Sequence, residues 1–232
     1  MTVSLVWATP NADQIIGDLA RVSAPENQGK DATKLIASLI RRKEWLPLEM
    51  ADMCVEIYAE RDVTRQILRH GKTFRFQEFS QRYSAVDKLP PAPLRAARMR
   101  HPTDRQASVP CEDQGTAAWW LEAQEFVQYT VGDVYSQALQ KGIAKEVARS
   151  VLPEGLTMSR MYMKGDIRGW LFFCQLRMGN GTQPETQTVA RGCWDILRQV
   201  APATVAAFES TWSEPENAPP AKTDGASMGV LT

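Results

Sequence analysis

Between Arg65 and Ser84 the chain reads Arg-Gln-Ile-Leu-Arg-His-Gly-Lys-Thr-Phe-Arg-Phe-Gln-Glu-Phe-Ser-Gln-Arg-Tyr-Ser. Arg65, Arg69, Arg75, Arg82, Lys72 and His70 supply positive charge and donors, and Glu78 is the one acidic residue among them. Three Gln and two Ser add short polar reach. Guanidinium forks grip oxyanions bidentately, so this mixture suits an anionic ligand with hydrogen-bonding edges, such as a phosphate with a base attached. Gln66, Arg69 and His70 fall at the end of a short helix. Glu78, Ser80 and Arg82 alternate, so on an extended segment they share one side. Arg149, in Glu146-Val-Ala-Arg-Ser-Val-Leu-Pro, and Arg177, ending a helix whose opposite face carries Trp170 and Cys174, bring two further forks from distant stretches. Each of these arginines taken alone equally suits a surface ion pair, and Glu78 alone could simply offset the basic cluster.

The elements that must position these side chains are legible in outline. Val3–Trp7 reads as a strand, with Thr9 and Pro10 as the cap and first position of a helix bearing Ile15, Ile16, Leu19 and Ala20. Asp31 is placed to cap a second helix carrying Leu35, Ile36, Leu39 and Ile40. Met50–Tyr58 alternates like a strand, and Val63–Arg69 reads as a short helix. Lys88–Cys111 is rich in Pro and Arg without periodicity, and is expected to be a long, mobile loop, either a linker or a substrate cover. Ala117–Lys141 is the clearest helix, with Trp120, Ala123, Val127, Val131, Val134 and Ala138 at helical spacing and Gly142 as its stop. Ile143–Leu152, Ile167–Arg177 and Glu185–Val200 are further helices. Trp119, Trp120, Trp170 and Trp194 are expected in the core. Residues 1–212 read as one domain, and 213–232, rich in Ser, Pro, Ala and Gly, as a disordered tail.

Length and composition bound the rest. A chain of 232 residues with 44% hydrophobic and 23% charged residues is an ordinary globular protein. No apolar run reaches the ~18–20 residues that cross a bilayer, and the first residues lack a signal-peptide pattern. Cys54, Cys111, Cys174 and Cys193 form no CxxC pair, and with two histidines no zinc pattern exists. A reducing, cytoplasmic setting is expected. Net charge is zero, but Arg61–Arg105 hold 11 Lys and Arg against 4 Asp and Glu. That block could also serve nucleic acid, with Phe74, Phe76 and Phe79 as stacking groups.

The motifs resemble those of the flavin-dependent thymidylate synthases. That signature is Arg-His-Arg, seven residues and Ser, continuing through Glu-x-Ser-x-Arg-Tyr. Here Arg69-His70-Gly71 precedes Gln77-Glu78-Phe79-Ser80-Gln81-Arg82-Tyr83. Supporting matches follow in family order: Ala20-Arg21-Val22-Ser23, Pro47-Leu48-Glu49, Glu146-Val-Ala-Arg149 with Leu152-Pro153, and Leu176-Arg177 followed by Gln183. The resemblance implies an α+β domain with a central antiparallel sheet flanked by helices, long helices in the C-terminal half, and a homotetramer with shared sites. It implies reductive methylation of dUMP to dTMP, with methylenetetrahydrofolate as carbon donor and FAD reduced by NADPH as hydride source. It assigns Gln66, Arg69, Glu78, Ser80, Gln81, Arg82, Arg149 and Arg177 to dUMP, with Arg177 also catalytic. It assigns Ser23, Glu49, Arg69, His70, Lys72, Glu78 and Asp166 to FAD, with no metal, membrane or nucleic-acid partner. No Cys or Ser stands beside an activating base, in keeping with a reaction that uses no enzyme nucleophile.

The chain departs from the pattern in ways that bear on the flavin. Gly71 replaces the third signature residue and Ser80 falls one residue late; a single insertion explains both, with Lys72 supplying the cation. Glu44 and Leu46 stand where a His and a Ser or Thr are usual, Phe172 or Phe173 where a polar residue is common, and Asp166 where Asn is frequent. A related dUMP enzyme with altered flavin or folate chemistry, such as hydroxymethylation, is therefore the alternative.

Overall fold

A computed structural model describes residues 1–212. In chain order the elements are β1 (Thr2–Ala8), α1 (Ala12–Ala20), α2 (Thr33–Arg41), β2 (Asp52–Glu60), α3 (Arg61–Ile67), β3 (Arg75–Glu78), β4 (Arg98–Arg100), β5 (Ser108–Pro110), α4 (Gln114–Gln140), α5 (Lys145–Ala148), β6 (Met158–Asp166), α6 (Ile167–Met178), α7 (Pro184–Val200) and α8 (Pro202–Thr211). The main sheet runs β1-β2-β6-β3 with every pair antiparallel, so the chain is an α+β domain around an antiparallel sheet. The expected tail, 213–232, lies outside the described residues.

Alternation builds the sheet. Met53, Val55, Ile57 and Ala59 of β2 are fully buried on one face, opposite Gly165, Met163, Met161 and Ser159 of β6. Helices α6 and α7 join this core through Trp170, Leu171, Phe173 and Cys174, and through Val189, Ala190, Cys193 and Trp194. The indole N–H of Trp170 donates to the carbonyls of Met53 and Gly165 at 3.0 and 3.1 Å, which satisfies its polar atom inside an apolar core. Removing such a ring costs about 3–5 kcal/mol.

Two glycines let the site assemble. A Cβ on Gly165 would stand 2.5 Å from the Phe74 ring, and one on Gly169 would stand 2.5 Å from Thr73 Cγ2. Only glycine at both positions lets the turn carrying His70–Phe74 lie against the junction of β6 and α6. At that junction Asp166 caps α6 by accepting from the Gly169 N–H at 2.6 Å.

Several expectations need correction. β6 was not anticipated: its pattern Met-Ser-Arg-Met-Tyr-Met-Lys-Gly-Asp alternates, but Arg and Lys disguise a strand whose second face is polar. Helix α1 begins at Ala12, after Asn11 in the left-handed region, so Thr9 and Pro10 do not cap it. Asp31 acts two residues ahead of α2, accepting from the Thr33 N–H and hydroxyl. Ile143–Leu152 is helical only over α5 and one following 3-10 turn. The segment Lys88–Cys111 is not a featureless loop. It folds the small β4–β5 hairpin, and Arg95 and Arg98 clamp it bidentately to Asp62 and Glu185. Trp119 and Trp120 are not core. Trp119 is 62% exposed, and of the 27 residues of α4 only Gln124 and Tyr135 are buried.

Candidate active site

Helix α3 and its continuing 3-10 turn end at His70, and α6 ends at Met178. Packing of the two ends brings Arg177 Nε to 2.9 Å from His70 Nε2 and Arg177 Nη2 to 3.3 Å from the Gln66 carbonyl. Arg177 donates here, so His70 Nε2 holds a lone pair. Burial, then the Arg177 charge, pulls the His70 pKa below its ordinary value and keeps the ring neutral. Burial and the neighbouring Arg69 charge lower that of Arg177. The His70 ring stands edge-on to Phe173, 5.0 Å between centroids. The result is a half-buried cation with its orientation set by two acceptors.

This pair adjoins a cleft of about 640 Å³ lined by Glu49, His70, Lys72, Asp166, Phe172 and Leu176, among others. Four of the seven residues assigned to the flavin by resemblance (Glu49, His70, Lys72 and Asp166) therefore share one cavity. Arg75, Lys164 and Arg168 also line it and were not anticipated. Arg75 and Lys164 are directly opposite on β3 and β6. Like charges facing across strands are unfavourable unless an anion or a carboxylate lies near. Asp52 answers Lys164 at 2.7 Å, while among the described residues Arg75 donates only to the Gly71 and Phe74 carbonyls. The available signal was the polar face of β6. Arg168 pairs with Glu49. Burial, followed by the Glu49 and Asp52 charges, raises the Asp166 pKa.

The remaining sequence-predicted residues occupy other places. Glu78 sits at the end of β3, accepting from the hydroxyls of Thr64 and Ser159 at 3.1 and 2.9 Å and pairing with Arg65 and Arg61. Ser80–Ser84 is a turn, since the N–H groups of Tyr83 and Ser84 both donate to the Ser80 carbonyl. This corrects the one-sided extended reading of Glu78, Ser80 and Arg82. Gln81 is buried, and its Nε2 has no partner among the described residues. The Arg82 side chain is 74% exposed and meets Glu146 at 2.9 Å, one helical turn before the exposed Arg149. Ser23 is exposed beyond α1 and does not line the cleft. Phe74, proposed above as a stacking group for nucleic acid, is buried.

Residues 4–203 match the family described as thymidylate synthase complementing protein. The chain belongs to the flavin-dependent thymidylate synthase family. A probable flavin-dependent thymidylate synthase of Paramecium bursaria Chlorella virus 1 is 38% identical over 211 residues, covering 90% of this chain and 96% of that one. A flavin-dependent thymidylate synthase of Synechocystis is 39% identical over 195 residues, covering 84% and 88%. Among solved structures, the UMP/dUMP methylase PolB of Streptomyces cacaoi bound with 5-Br dUMP superposes with a TM-score of 0.77 at 28% identity, covering 90% of this chain and 94% of that one.

Membership bears on the departures. Leu46 is exposed, and Phe172 lines the cleft against Trp45. Gly71 lies in the right-handed region at φ −60°, and a Cβ there would meet nothing closer than the Leu68 carbonyl at 3.6 Å. Nothing in the backbone requires glycine, so the missing third-position arginine is a choice of side chain. Residues 71–73 form a turn. The donor set fits a flavin: among the described residues Lys72 and Arg75 have no carboxylate partner and can answer a phosphate, and Phe172 and Leu176 give a flat ring apolar contact.

Proposed function

We propose that the protein converts dUMP to dTMP, taking the carbon from methylenetetrahydrofolate, with NADPH as the source of reducing equivalents. The observation that supports this most is the Gln66–Arg177–His70 cluster beside a cation-lined cleft, in a chain of this family. FAD, held by His70, Lys72 and Arg75, supplies when bound the hydride that completes the methyl group.

The chain's own residues do the rest. Arg177 faces the pyrimidine, and its charge and donors favour the uracil anion at N3. An ionised ring is more electron-rich at C5, the carbon that bonds to the one-carbon unit. No cysteine lines the cleft to activate it otherwise: Cys54, Cys174 and Cys193 are buried and burial pushes their thiols up, and Cys111 ends a segment that does not reach the cleft. Neutral His70 fixes Arg177 by accepting from Nε. Arg82, which meets Glu146, and Arg149, three residues further on, are exposed and bind the phosphate. Gln81 Nε2 is a buried donor left for the nucleotide. Methylation is favoured over hydroxymethylation because the relatives and the structural neighbour are a synthase and a methylase by name. Exposed apolar residues of α4, Trp119 and Phe126 among them, supply the surface by which subunits assemble as a homotetramer.

The test is product formation. Purified protein with dUMP, methylenetetrahydrofolate, NADPH and FAD should yield dTMP, identified by mass spectrometry, and omission of FAD should abolish it. Hydroxymethyl-dUMP as the sole product, or turnover independent of flavin, contradicts the proposal.

A further inference from the structure

Two phenylalanines follow one another on α6, and the fold uses them differently. Phe173 is buried, edge-on to His70, Phe74 and Trp170. Phe172 lines the cleft and is 38% exposed. A helix repeats its faces every three to four residues, so Arg168, Phe172 and Leu176 form one stripe, and all three line the cleft. Leu176 is exposed as well. Of the two residues that stand where a polar side chain is common, Phe172 is thus the one that presents its ring to a ligand.

Its neighbours hold that ring in place. Trp45 lies 5.0 Å away at 75° and Phe208 5.6 Å away at 86°, centroid to centroid, and Trp45 and Phe208 meet each other at 6.2 Å. Phe208 is buried and packs on Trp194 and Trp212, so the cluster is rooted in the core. Arg168 Cζ stands 5.9 Å from the Phe172 centroid, and its guanidinium pairs with Glu49. A free side chain loses rotamer freedom when a ligand lands on it; this one is set beforehand, which lowers that cost. The other apolar departure adjoins it. Leu46, next to Trp45, is 72% exposed on a 3-10 turn that packs against α6. The turn after α3 and strand β3 bring Lys72 and Arg75 to the same cleft, with no carboxylate partner among the described residues. An oriented aromatic ring together with unpaired cations suits a ligand that is itself a flat ring carrying a phosphate.

We propose that Phe172 is a preset stacking platform for the isoalloxazine ring of the flavin, held in place by Trp45 and Phe208. Ring contact there offsets the polar donors that Leu46 and Phe172 remove. The inference rests on the flavin reading of the cleft. Phe172 touches the ligand and is a binding residue; Trp45, which does not line the cleft, is a positioning residue.

Riboflavin carries the ring without phosphate or adenine, and so separates the platform from the rest of the cleft. Binding of riboflavin and of FAD is titrated by flavin fluorescence. Phe172→Leu keeps apolar bulk and loses the aromatic face, and should weaken both ligands by the same factor, roughly two- to tenfold. Phe172→Tyr should restore both. Trp45→Leu should weaken riboflavin by a smaller factor in the otherwise native protein and have no further effect in Phe172→Leu, because the two residues act as one unit. Unchanged riboflavin affinity in Phe172→Leu overturns the platform. A loss confined to FAD overturns it too, since the side chain would then meet the adenine and not the flavin ring. Equal losses from Trp45→Leu in both backgrounds overturn the holding of the ring by Trp45. A native protein that binds neither riboflavin nor FAD refutes the flavin reading, and the platform with it.

Discussion

The two groups of residues assigned to the nucleotide are built differently. In the Gln66–His70–Arg177 group each side chain is half-buried and hydrogen-bonded to protein, at the ends of α3 and α6, where two glycines let the His70–Phe74 turn pack against β6 and α6. In the Arg82–Arg149 group the guanidiniums stand exposed on a turn and a 3-10 segment, linked by the Arg82–Glu146 pair and by Lys145 Nζ donating to the Tyr83 carbonyl at 3.1 Å. Reading a base demands fixed donors and acceptors, since misplacement removes the discrimination. Gripping a phosphate demands only reachable positive charge, and side chains that reorganise can supply it.

Each prediction strains one side of that comparison. Arg82→Ala should weaken dUMP binding by about 1.5–3 kcal/mol through loss of a charge-assisted hydrogen bond, with the Tm unchanged; calorimetric titration and thermal melting together check this. An unchanged dUMP affinity would remove Arg82 from the phosphate. Gly165→Ala should do the reverse, lowering stability by about 1–3 kcal/mol through overpacking against Phe74, and denaturant titration reports it. Acid should act on the buried group. A His70 pKa below that of the unfolded chain means the native state binds fewer protons there. The His70 contribution to stability is therefore complete above about pH 6.5 and is lost as pH falls through the lowered native value. The Tm of the native protein minus that of His70→Gln should accordingly shrink from pH 7 to pH 5; a constant difference would show that folding does not lower the His70 pKa. The smallest effect belongs to the cleft. Gly71→Arg adds a guanidinium at a position with room for it, and should tighten FAD severalfold, by about the 0.2–1 kcal/mol of an exposed charge pair. Fluorescence quenching of the free flavin measures it.

How much of this the sequence disclosed follows from where each signal lay. The stripes of α1, α2, α6 and α7 and the alternation of β2 were legible because each buries one face against the same core. β6 was not, because Arg160, Tyr162 and Lys164 line its polar face and broke the expected run. The apolar spacing of Trp120, Val127 and Val134 correctly marked α4 as a helix but wrongly marked a core face, since periodicity reports one apolar side and not what covers it. The Arg69–Arg82 motif marked the family, yet Glu49, Lys72 and Asp166 come together only through contacts between segments far apart in the chain. The Pro- and Arg-rich segment read as mobile because it lacks periodicity, but part-buried ion pairs order it without any.

The central claim, that a preorganised Arg177 activates the pyrimidine, is tested most directly by Arg177→Lys. Lysine keeps the charge and loses the planar fork that His70 and Gln66 orient. Single-turnover dTMP formation and dUMP titration should be measured on the native protein and on this variant. The rate should fall on the order of 100-fold, as for loss of one preorganised donor, while dUMP affinity falls much less. Equal losses in rate and affinity would reduce Arg177 to a binding residue, and no loss in either would contradict the account.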